Sequence, residues 1–324
     1  MRLSRRCRRI ETMDADGWTL GMRGSRGRGR GRDDRKILHV KESQKHIRGT
    51  ERRNPRSRGL HRKSTREVLR IISREDAQVT RAVAQEIPAM ARAVEAIVRA
   101  LRRGGRLIYV GAGTSGRLAT LDAAEIPPTF GVSSKMVQAV IAGGQRALTE
   151  AVEGAEDSAA AGARDLRAKR VTSRDVVVGI TASGTTPYVL GALAYARRRG
   201  AMTIALTANR GTPVGRATRI TIAPQTGPEV VTGSTRMKAG TAQKMVLNML
   251  STTAMVRLGR VYDNWMIGVA LTNRKLRERG VRILCEATGA SVAEAERALR
   301  QVGDRLPVAL ERLKRRAQGV GGRV

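Results

Sequence analysis

Residues 111–116 form a short segment rich in glycine and hydroxyl side chains, and these residue types could bind a ligand. It follows the apolar, β-branched run at residues 107–110, which is typical of a buried strand. Backbone N–H groups in such a loop can approach an anion closely, and a helix that begins there adds the attraction of its dipole. The segment therefore predicts a phosphate site formed by Gly113, Thr114 and Ser115.

The glycine spacing in residues 111–116 also fits the dinucleotide-binding pattern G-x-G-x-x-G. However, no Asp or Glu lies between Gly131 and Gly144, where the ribose-binding acid is expected, and the lysine of a nucleotide P-loop is absent. We therefore expect no cofactor and favour another ligand that carries phosphate.

Two further hydroxyl-rich loops precede helix-like runs. The loop at residues 182–187 offers Ser183 and Thr186. The loop at residues 232–241 offers Ser234, Thr235, Arg236 and Lys238. One such loop is usually only a turn and a helix cap. Three of them, one with two cations, favour a phosphate-bearing ligand.

Carboxylates cluster in two places that could supply an acid and a base. Asp122 and Glu125 follow the first loop by one or two helical turns, on a helix that the prolines at 127–128 are expected to end. The second cluster consists of Glu150, Glu153, Glu156 and Asp157. A solvated acidic face is the simple alternative. Two carboxylates in a dry cleft would instead have their pKa values pushed apart, which suits a general acid and a general base.

The distribution of histidine and cysteine excludes several kinds of site from the body of the chain. All three histidines, His39, His46 and His61, lie at or before residue 61, and the two cysteines, Cys7 and Cys285, are far apart. We therefore expect no metal site of the His/Cys type and no Ser-His-Asp triad. Proton transfer would fall to Asp, Glu, Lys or Tyr.

Five strand-like runs alternate with helix-like runs and must position these residues. Strands are predicted at residues 107–110, 136–141, 175–180, 202–207 and 219–222, and helices at 117–125, 147–169, 188–199 and 239–258. This alternation predicts an α/β fold of three layers, a parallel sheet flanked by helices. Ligands of such sheets bind at the carboxyl ends of the strands, where the first two loops lie.

Composition divides the chain into three parts. Residues 1–49 are aperiodic, basic and rich in Arg-Gly pairs, so we expect a disordered tail that holds nucleic acid weakly at most. Residues 50–262 form the predicted α/β domain that binds the phosphate-bearing ligand, and residues 263–324 form a small C-terminal helical subdomain. No apolar run reaches about 18 residues, so we expect no membrane span and a cytoplasmic protein.

Four longer stretches of this sequence resemble the motifs of a known protein family. They are YVGAGTSGRL at 109–118 with LDAAEIPPTFG at 121–131, AVEGAED at 151–157, ASGTTPYV at 182–189, and PEVVTGSTRMKAGTAQK at 228–244 with LNMLST at 247–252. With TERRNP at 50–55, they make the chain similar to the N-acetylmuramic acid 6-phosphate etherase family of the sugar-isomerase (SIS) superfamily. The resemblance covers residues 50–313.

The resemblance implies an enzyme that releases D-lactate from a sugar-phosphate substrate without a metal or nucleotide. By motif, the two catalytic glutamates of the family fall on Glu125, as the proton donor to the departing lactate, and on Glu156, as the second carboxylate. It also implies a homodimer in which one subunit completes the other's site, with the helices around Val68 and Val94 as candidate contacts.

The sequence departs from the family pattern in a few places. The family usually has Arg at the position of Thr185, and Gly and Asp at the positions of Asp263 and Gly268. A non-catalytic sugar-phosphate sensor on the same fold is the main alternative, but it need not keep both Glu125 and Glu156. An aldose–ketose isomerase is disfavoured by the absence of a body histidine. A transcription regulator is disfavoured because residues 1–63 show no helix-turn-helix pattern.

Overall fold

The central sheet has five parallel strands in the order β2-β1-β3-β4-β5. The computed structural model describes residues 49–320, with side chains up to residue 316, so the predicted tail lies outside the described residues except for Gly49. The strands are β1 Leu107–Gly111, β2 Val137–Ile141, β3 Val176–Ile180, β4 Met202–Leu206 and β5 Ile220–Ile222. All five coincide with predicted runs, which are rich in the β-branched residues typical of sheets covered on both faces.

Helices cover both faces of this sheet and are numbered in chain order. They are α1 Thr65–Ala84, α2 Ile87–Arg102, α3 Gly113–Phe130, α4 Ala159–Ala168, α5 Pro187–Arg198, α6 Pro213–Arg216 and α7 Lys238–Arg257. Side chains of β1 alternate between the two layers. Leu107 and Tyr109 join a core with α1, α2, α3 and α7, whereas Ile108 and Val110 join a core with α4 and α5. The predicted three-layer α/β fold is confirmed.

Helix α3 continues past the two prolines that were expected to end it. It runs from Gly113 to Phe130 and stops at Gly131, whose φ of 60° is left-handed and whose N–H bonds to the carbonyl of Pro127. Pro127 and Pro128 remove two backbone donors from the last turns. Burial of Phe130 in the core offsets that loss.

The stretch predicted as one helix at residues 147–169 is mostly irregular. Two 3₁₀ turns, Gly144–Leu148 and Ala155–Asp157, precede α4, which begins only at Ala159. Gly154 has a φ of 70°, and the Ser158 hydroxyl accepts a hydrogen bond from the backbone N–H of Ala161 as a helix cap. The prediction missed both signals, so the acidic cluster lies on turns.

Helix α7 forms the predicted long element, and its stripe of residues at helical spacing is only partly buried. Ala242, Val246 and Leu250 are buried in the core, whereas Met249 and Thr253 are exposed. Met249 and Thr253 line an apolar groove between α7 and α2. The stripe therefore faces two different surroundings.

The C-terminal region is helical, as expected, and has its own hydrophobic core. A two-stranded hairpin, β6 Val261–Tyr262 and β7 Trp265–Met266, precedes α8 Arg274–Thr288, α9 Val292–Gln301 and α10 Leu306–Val320. Asp263 in the hairpin turn has a φ of 50°, which explains why glycine suits this position. The described residues belong to one compact unit spanning Ile47–Val324, so the predicted boundary at residue 262 stays a prediction. No helix in the described part is long and apolar enough to cross a bilayer.

Candidate active site

The crevice between β1 and β3 is the natural ligand position in this sheet. The two strands are neighbours, although the chain visits β2 between them, so the connections leave in opposite directions at this point. Open α/β sheets bind ligands outside the carboxyl ends of the strands at such a reversal. Helices α3 and α5 both begin at this edge.

The N-terminus of α3 is open to an anion. Its N-cap is Ala112, which makes no side-chain cap, so the N–H groups of Gly113, Thr114 and Ser115 have no capping oxygen there. Gly116 is required, because a Cβ at this position would lie 2.5 Å from Cγ1 of Ile141 on β2. The helix therefore starts directly against the sheet.

The hydroxyl of Ser115 points toward α7. It donates to Oε1 of Gln243 at 2.9 Å, and both residues are buried. The Nε2 of Gln243 has no hydrogen-bond partner among the described residues. A ligand can therefore use the backbone N–H of Ser115 directly, but it can use the hydroxyl only if the bond to Gln243 is exchanged.

The second loop places four hydroxyls together at the N-terminus of α5. Oγ1 of Thr181 lies 2.7 Å from Oγ1 of Thr186 and 3.3 Å from Oγ of Ser183. Thr185, which replaces the usual Arg of the family pattern, donates to Oγ of Ser183 at 3.1 Å. Thr186 is the N-cap and makes no side-chain cap bond, so this helix start is also open.

The N-terminus of α7 differs because a protein carboxylate already fills it. Glu229 is fully buried and accepts from the backbone N–H groups of Lys238 at 3.0 Å and of Ala239 at 2.9 Å. Burial raises the pKa of Glu229, and the two N–H donors act against that rise. An added phosphate would compete with Glu229 at this position.

The position of Lys238 corrects the prediction that it binds phosphate. Its side chain is fully buried, and Nζ lies 2.6 Å from Oε2 of Glu75 on α1. Burial opposes ionisation of Glu75, but hydrogen bonds from Arg56, Lys238 and Asn54 outweigh it and lower its pKa to about 2. The ammonium is thus part of a structural ion pair.

The rest of the third loop does approach the first loop. A Cβ built on Gly240 would lie 3.4 Å from Cγ2 of Thr114 and 3.5 Å from the carbonyl oxygen of Thr235. Ser234 and Thr235 are half-buried, whereas Arg236 is exposed and has no ion-pair partner among the described residues. Arg236 is therefore the exposed cation of this loop.

Glu156 lines a cavity of about 190 Å³ beside the first loop. Gly113 and Arg117 of α3 form one wall, and the segment 150–156 forms the opposite wall. The cavity is smaller than the roughly 300–1,000 Å³ of most ligand sites. The structure thus brings Glu156 and the predicted phosphate loop together in a site that is small for a sugar phosphate.

Glu125 lies elsewhere in the same subunit. At about 1.5 Å of rise per residue, it is about 18 Å along the axis of α3 from Gly113. It lies on the exposed stripe of this helix with Leu121, Ala124 and Pro128. The two predicted catalytic glutamates therefore face different surroundings within one chain.

Asp122, the neighbour of Glu125 in the sequence, has a structural position. It accepts hydrogen bonds from Tyr109 at 2.9 Å, from Asn248 at 2.8 Å and from Ser251 at 3.1 Å. Burial and the charge of Asp122 raise the pKa of Tyr109 well above its ordinary value. Tyr109 is therefore unsuited to proton transfer near neutral pH. Within residues 49–320, no group of three or more His, Cys, Asp or Glu side chains could hold a metal ion.

Comparison with known proteins gives long matches at high identity. The chain is 51% identical over 261 residues to an N-acetylmuramic acid 6-phosphate etherase from Geobacillus thermodenitrificans, covering 81% of this chain and 88% of the relative. It is 56% identical over 252 residues to one from Yersinia pestis, covering 78% and 85%. The chain belongs to the N-acetylmuramic acid 6-phosphate etherase family. It is thus a member of a family of enzymes.

Two family models match parts of this etherase-family chain. Residues 89–197 match the N-terminal SIS domain of glucokinase regulatory protein, and residues 144–253 match the SIS domain. A phosphoheptose isomerase from Neisseria gonorrhoeae aligns with a TM-score of 0.47 at 18% identity, covering 59% of this chain and 98% of that structure.

Sequence reasoning missed several residues beside the site of this etherase-family chain. Thr50 and Asn54 are buried, and Thr50 accepts from Asn209 after β4 while Asn54 donates to Glu75. They belong to the TERRNP segment at residues 50–55, whose motif gives no indication of these contacts. Gln243 and Arg117 carried no local signal, because their partners are far away in the sequence.

Proposed function

We propose that this protein cleaves the D-lactyl ether of N-acetylmuramic acid 6-phosphate to give N-acetylglucosamine 6-phosphate and D-lactate. The observation that carries the proposal is the identity of 51–56% to etherases over most of both chains. The arrangement of open helix N-termini beside a carboxylate supports it. A phosphorylated sugar as substrate would place the reaction in the cytoplasm.

The chemistry suits a site built from carboxylates. When the sugar ring opens, C2 lies next to an aldehyde and its proton becomes acidic. A base removes that proton and an acid protonates the C3 oxygen as the C3–O bond breaks and lactate leaves, which forms a C2=C3 double bond. Water then adds to C3 and gives one proton to the carboxylate that the acid has become, while the protonated base returns its proton to C2. Two carboxyl groups can perform all of these proton transfers, one exchanging protons with the oxygen on C3 and the other with C2.

The 6-phosphate would bind at the β1/β3 crevice. The uncapped N-termini of α3 and α5 supply backbone donors, and the hydroxyls of Ser115, Ser183 and Thr186 stand beside them. Arg236 from the third loop would add a charge-assisted bond. Further binding residues in the proposal are Gly113, Thr114, Ser234 and Thr235. Lys238 is excluded by its pairing with Glu75.

Glu125 is proposed as the acid for the leaving oxygen and Glu156 as the base at C2. Glu156 lines the cavity beside Gly113, whereas Glu125 lies about 18 Å away along α3 in the same chain. A sugar phosphate held at the first loop cannot contact both glutamates of one subunit. The proposal therefore needs Glu125 from a second copy of the chain.

A homodimer with shared active sites meets this need. Glu125 lies on an exposed stripe whose other members are apolar, including Leu121 at 51% exposure. The same helical layer exposes Ile87 on α2 and Met249 on α7, which line a groove of about 290 Å³. Among the described residues, α4 and α5 on the opposite layer expose no large hydrophobic side chain. The layer that carries Glu125 is thus the proposed dimer face.

Incubation of the purified full chain with N-acetylmuramic acid 6-phosphate tests the function. We expect stoichiometric release of D-lactate, measured with D-lactate dehydrogenase, together with N-acetylglucosamine 6-phosphate. Unphosphorylated N-acetylmuramic acid serves as the matched control, and it should react far more slowly because the phosphate anchor is lost. No lactate from the phosphorylated sugar would overturn the proposal.

A further inference from the structure

The segment that carries Glu156 has little structure of its own to hold it. Backbone hydrogen bonds of residues 149–157 are all local, from Thr149 and Glu150 back to Arg146, from Ala155 to Val152 and from Asp157 to Gly154. None of these bonds connects the segment to the sheet or to α3. Side-chain contacts therefore help to hold Glu156 in position, and one of them is the packing of Ala155 against the core around α4 and α5.

Arg117 supplies such contacts from the second turn of α3. Its Nε donates to the carbonyl oxygens of Ala147 at 2.9 Å and Leu148 at 3.2 Å, and its Nη2 donates to the carbonyl oxygen of Glu150 at 2.7 Å. The guanidinium is half-buried and also lines the cavity that Gly113 and Glu156 share. One side chain thus joins the phosphate-binding helix to the start of the acidic segment.

We propose that Arg117 is a positioning residue that sets the distance between the phosphate anchor and Glu156. This inference rests on the proposed function, because it concerns the carboxylate that removes the C2 proton. A planar guanidinium can donate to several carbonyls at fixed angles, whereas an ammonium is a single point charge on a flexible stem. Lysine at this position would keep the charge but lose the geometry.

Arg146 provides the matched control. It lies just before the same segment, and its Nε is 2.6 Å from the carboxylate of Glu150, but both side chains are largely exposed. An exposed ion pair of this kind contributes little. Arg146→Ala therefore removes a cation beside the segment without removing the three bonds to carbonyls.

The experiment compares wild type, Arg117→Ala, Arg117→Lys and Arg146→Ala in lactate release. We expect kcat to fall by about 10²-fold in Arg117→Ala, since a displacement of about 1 Å can have that effect, and to stay near wild type in Arg146→Ala. KM should change little in all variants, because the phosphate loops are untouched. Added guanidinium ion should restore part of the kcat of Arg117→Ala, and methylammonium should not.

Hydrogen exchange followed by mass spectrometry supplies a second readout. Amides of residues 147–157 should exchange faster in Arg117→Ala than in Arg146→Ala, with β1 to β5 unchanged. If Arg117→Ala does not fold, Arg117→Lys carries the test, with a smaller fall in kcat expected. A raised KM at unchanged kcat, or equal activity in Arg117→Ala and Arg146→Ala, would overturn the inference. A wild type that releases no lactate would instead overturn the proposed function.

Discussion

The two glutamates proposed as acid and base act on neighbouring carbons, so their contributions can be measured separately. Glu125→Gln should reduce lactate release by about 10²- to 10⁴-fold, the usual contribution of a general acid. In deuterated water it should still exchange deuterium into C2 of the unreacted substrate, because the base is intact. Glu156→Gln should lose exchange and cleavage together. Mass spectrometry of recovered substrate distinguishes the two, and normal cleavage by Glu125→Gln would refute its assignment.

Ser115 and Ser183 are proposed to hold the 6-phosphate, and they differ in their present partners. Ser115 donates to Gln243, whereas Ser183 lies in the hydroxyl cluster before α5. Ser115→Ala and Ser183→Ala should both raise KM with a smaller change in kcat, since binding donors are lost. Steady-state kinetics checks this, with Ser133→Ala in the exposed loop before β2 as the control. Unchanged KM in both variants would contradict the phosphate site.

We expect Lys238 to contribute to the stability of the fold and not to phosphate binding. Lys238→Met leaves Glu75 buried with one cation fewer, and we expect a loss of about 3 kcal/mol in the free energy of unfolding. This value is at the lower end of the stability losses found when one partner of a buried ion pair is removed, because Arg56 and Asn54 still contact Glu75. Urea unfolding measures the loss, and exposed Lys244→Met on the same helix is the control.

The effect of Lys238→Met should also depend on pH in a defined direction. The folded pKa of Glu75 is lowered to about 2, so its ionised form stabilises the protein above its ordinary pKa of 4.5. That stabilisation is lost as the pH falls from 4.5 toward 2. The difference between wild type and variant should therefore shrink over this range. A difference that stays constant would show that packing, and not charge, holds the site.

At the scale of elements, the starts of α3, α5 and α7 determine where an anion can bind. The first two have no side-chain cap, whereas Glu229 fills the third. All three looked alike in the sequence as hydroxyl-rich loops before helices. Only the structure distinguishes them, because the carboxylate that occupies the N-terminus of α7 belongs to Glu229, nine residues before Lys238.

At the scale of the whole molecule, the proposed dimer with shared active sites can be tested by a complementation experiment. Glu125→Gln and Glu156→Gln should each be inactive alone. After random subunit mixing, about a quarter of wild-type activity should return, because half of the dimers are mixed and each has one intact shared site. Lactate release after refolding the mixture measures this. No recovery, with dimers present in sedimentation, would mean that both glutamates act within one subunit.

The basic tail is expected to be dispensable for the reaction. The compact unit that holds the site begins at Ile47, and within the described part of the chain Thr50 and Asn54 are the first buried residues. Deletion of residues 1–46 should leave kcat and KM for lactate release unchanged. Deletion of residues 1–57 should abolish folding, since it removes Asn54 and Arg56 from Glu75. A large loss of activity in a folded 1–46 deletion would contradict the prediction.

Local patterns in the sequence were sufficient to predict the sheet, the flanking helices and the loops that carry the motifs. Strands with two buried faces need continuous β-branched runs, and such runs are visible in the sequence. The same local reasoning failed at the prolines of α3 and in residues 147–158. There, core burial of Phe130 and the turn at Gly154 outweighed the pattern.

The partners of each polar side chain were decided only by the tertiary structure. Lys238 pairs with Glu75, Ser115 with Gln243, and Arg117 with carbonyls about thirty residues away. No periodicity encodes such contacts, because they depend on which loops the sheet order brings together. The sequence by itself therefore determined the fold class, the family and the candidate residues. The tertiary structure decided which helix starts are open to phosphate and separated Glu125 from Glu156 within one chain.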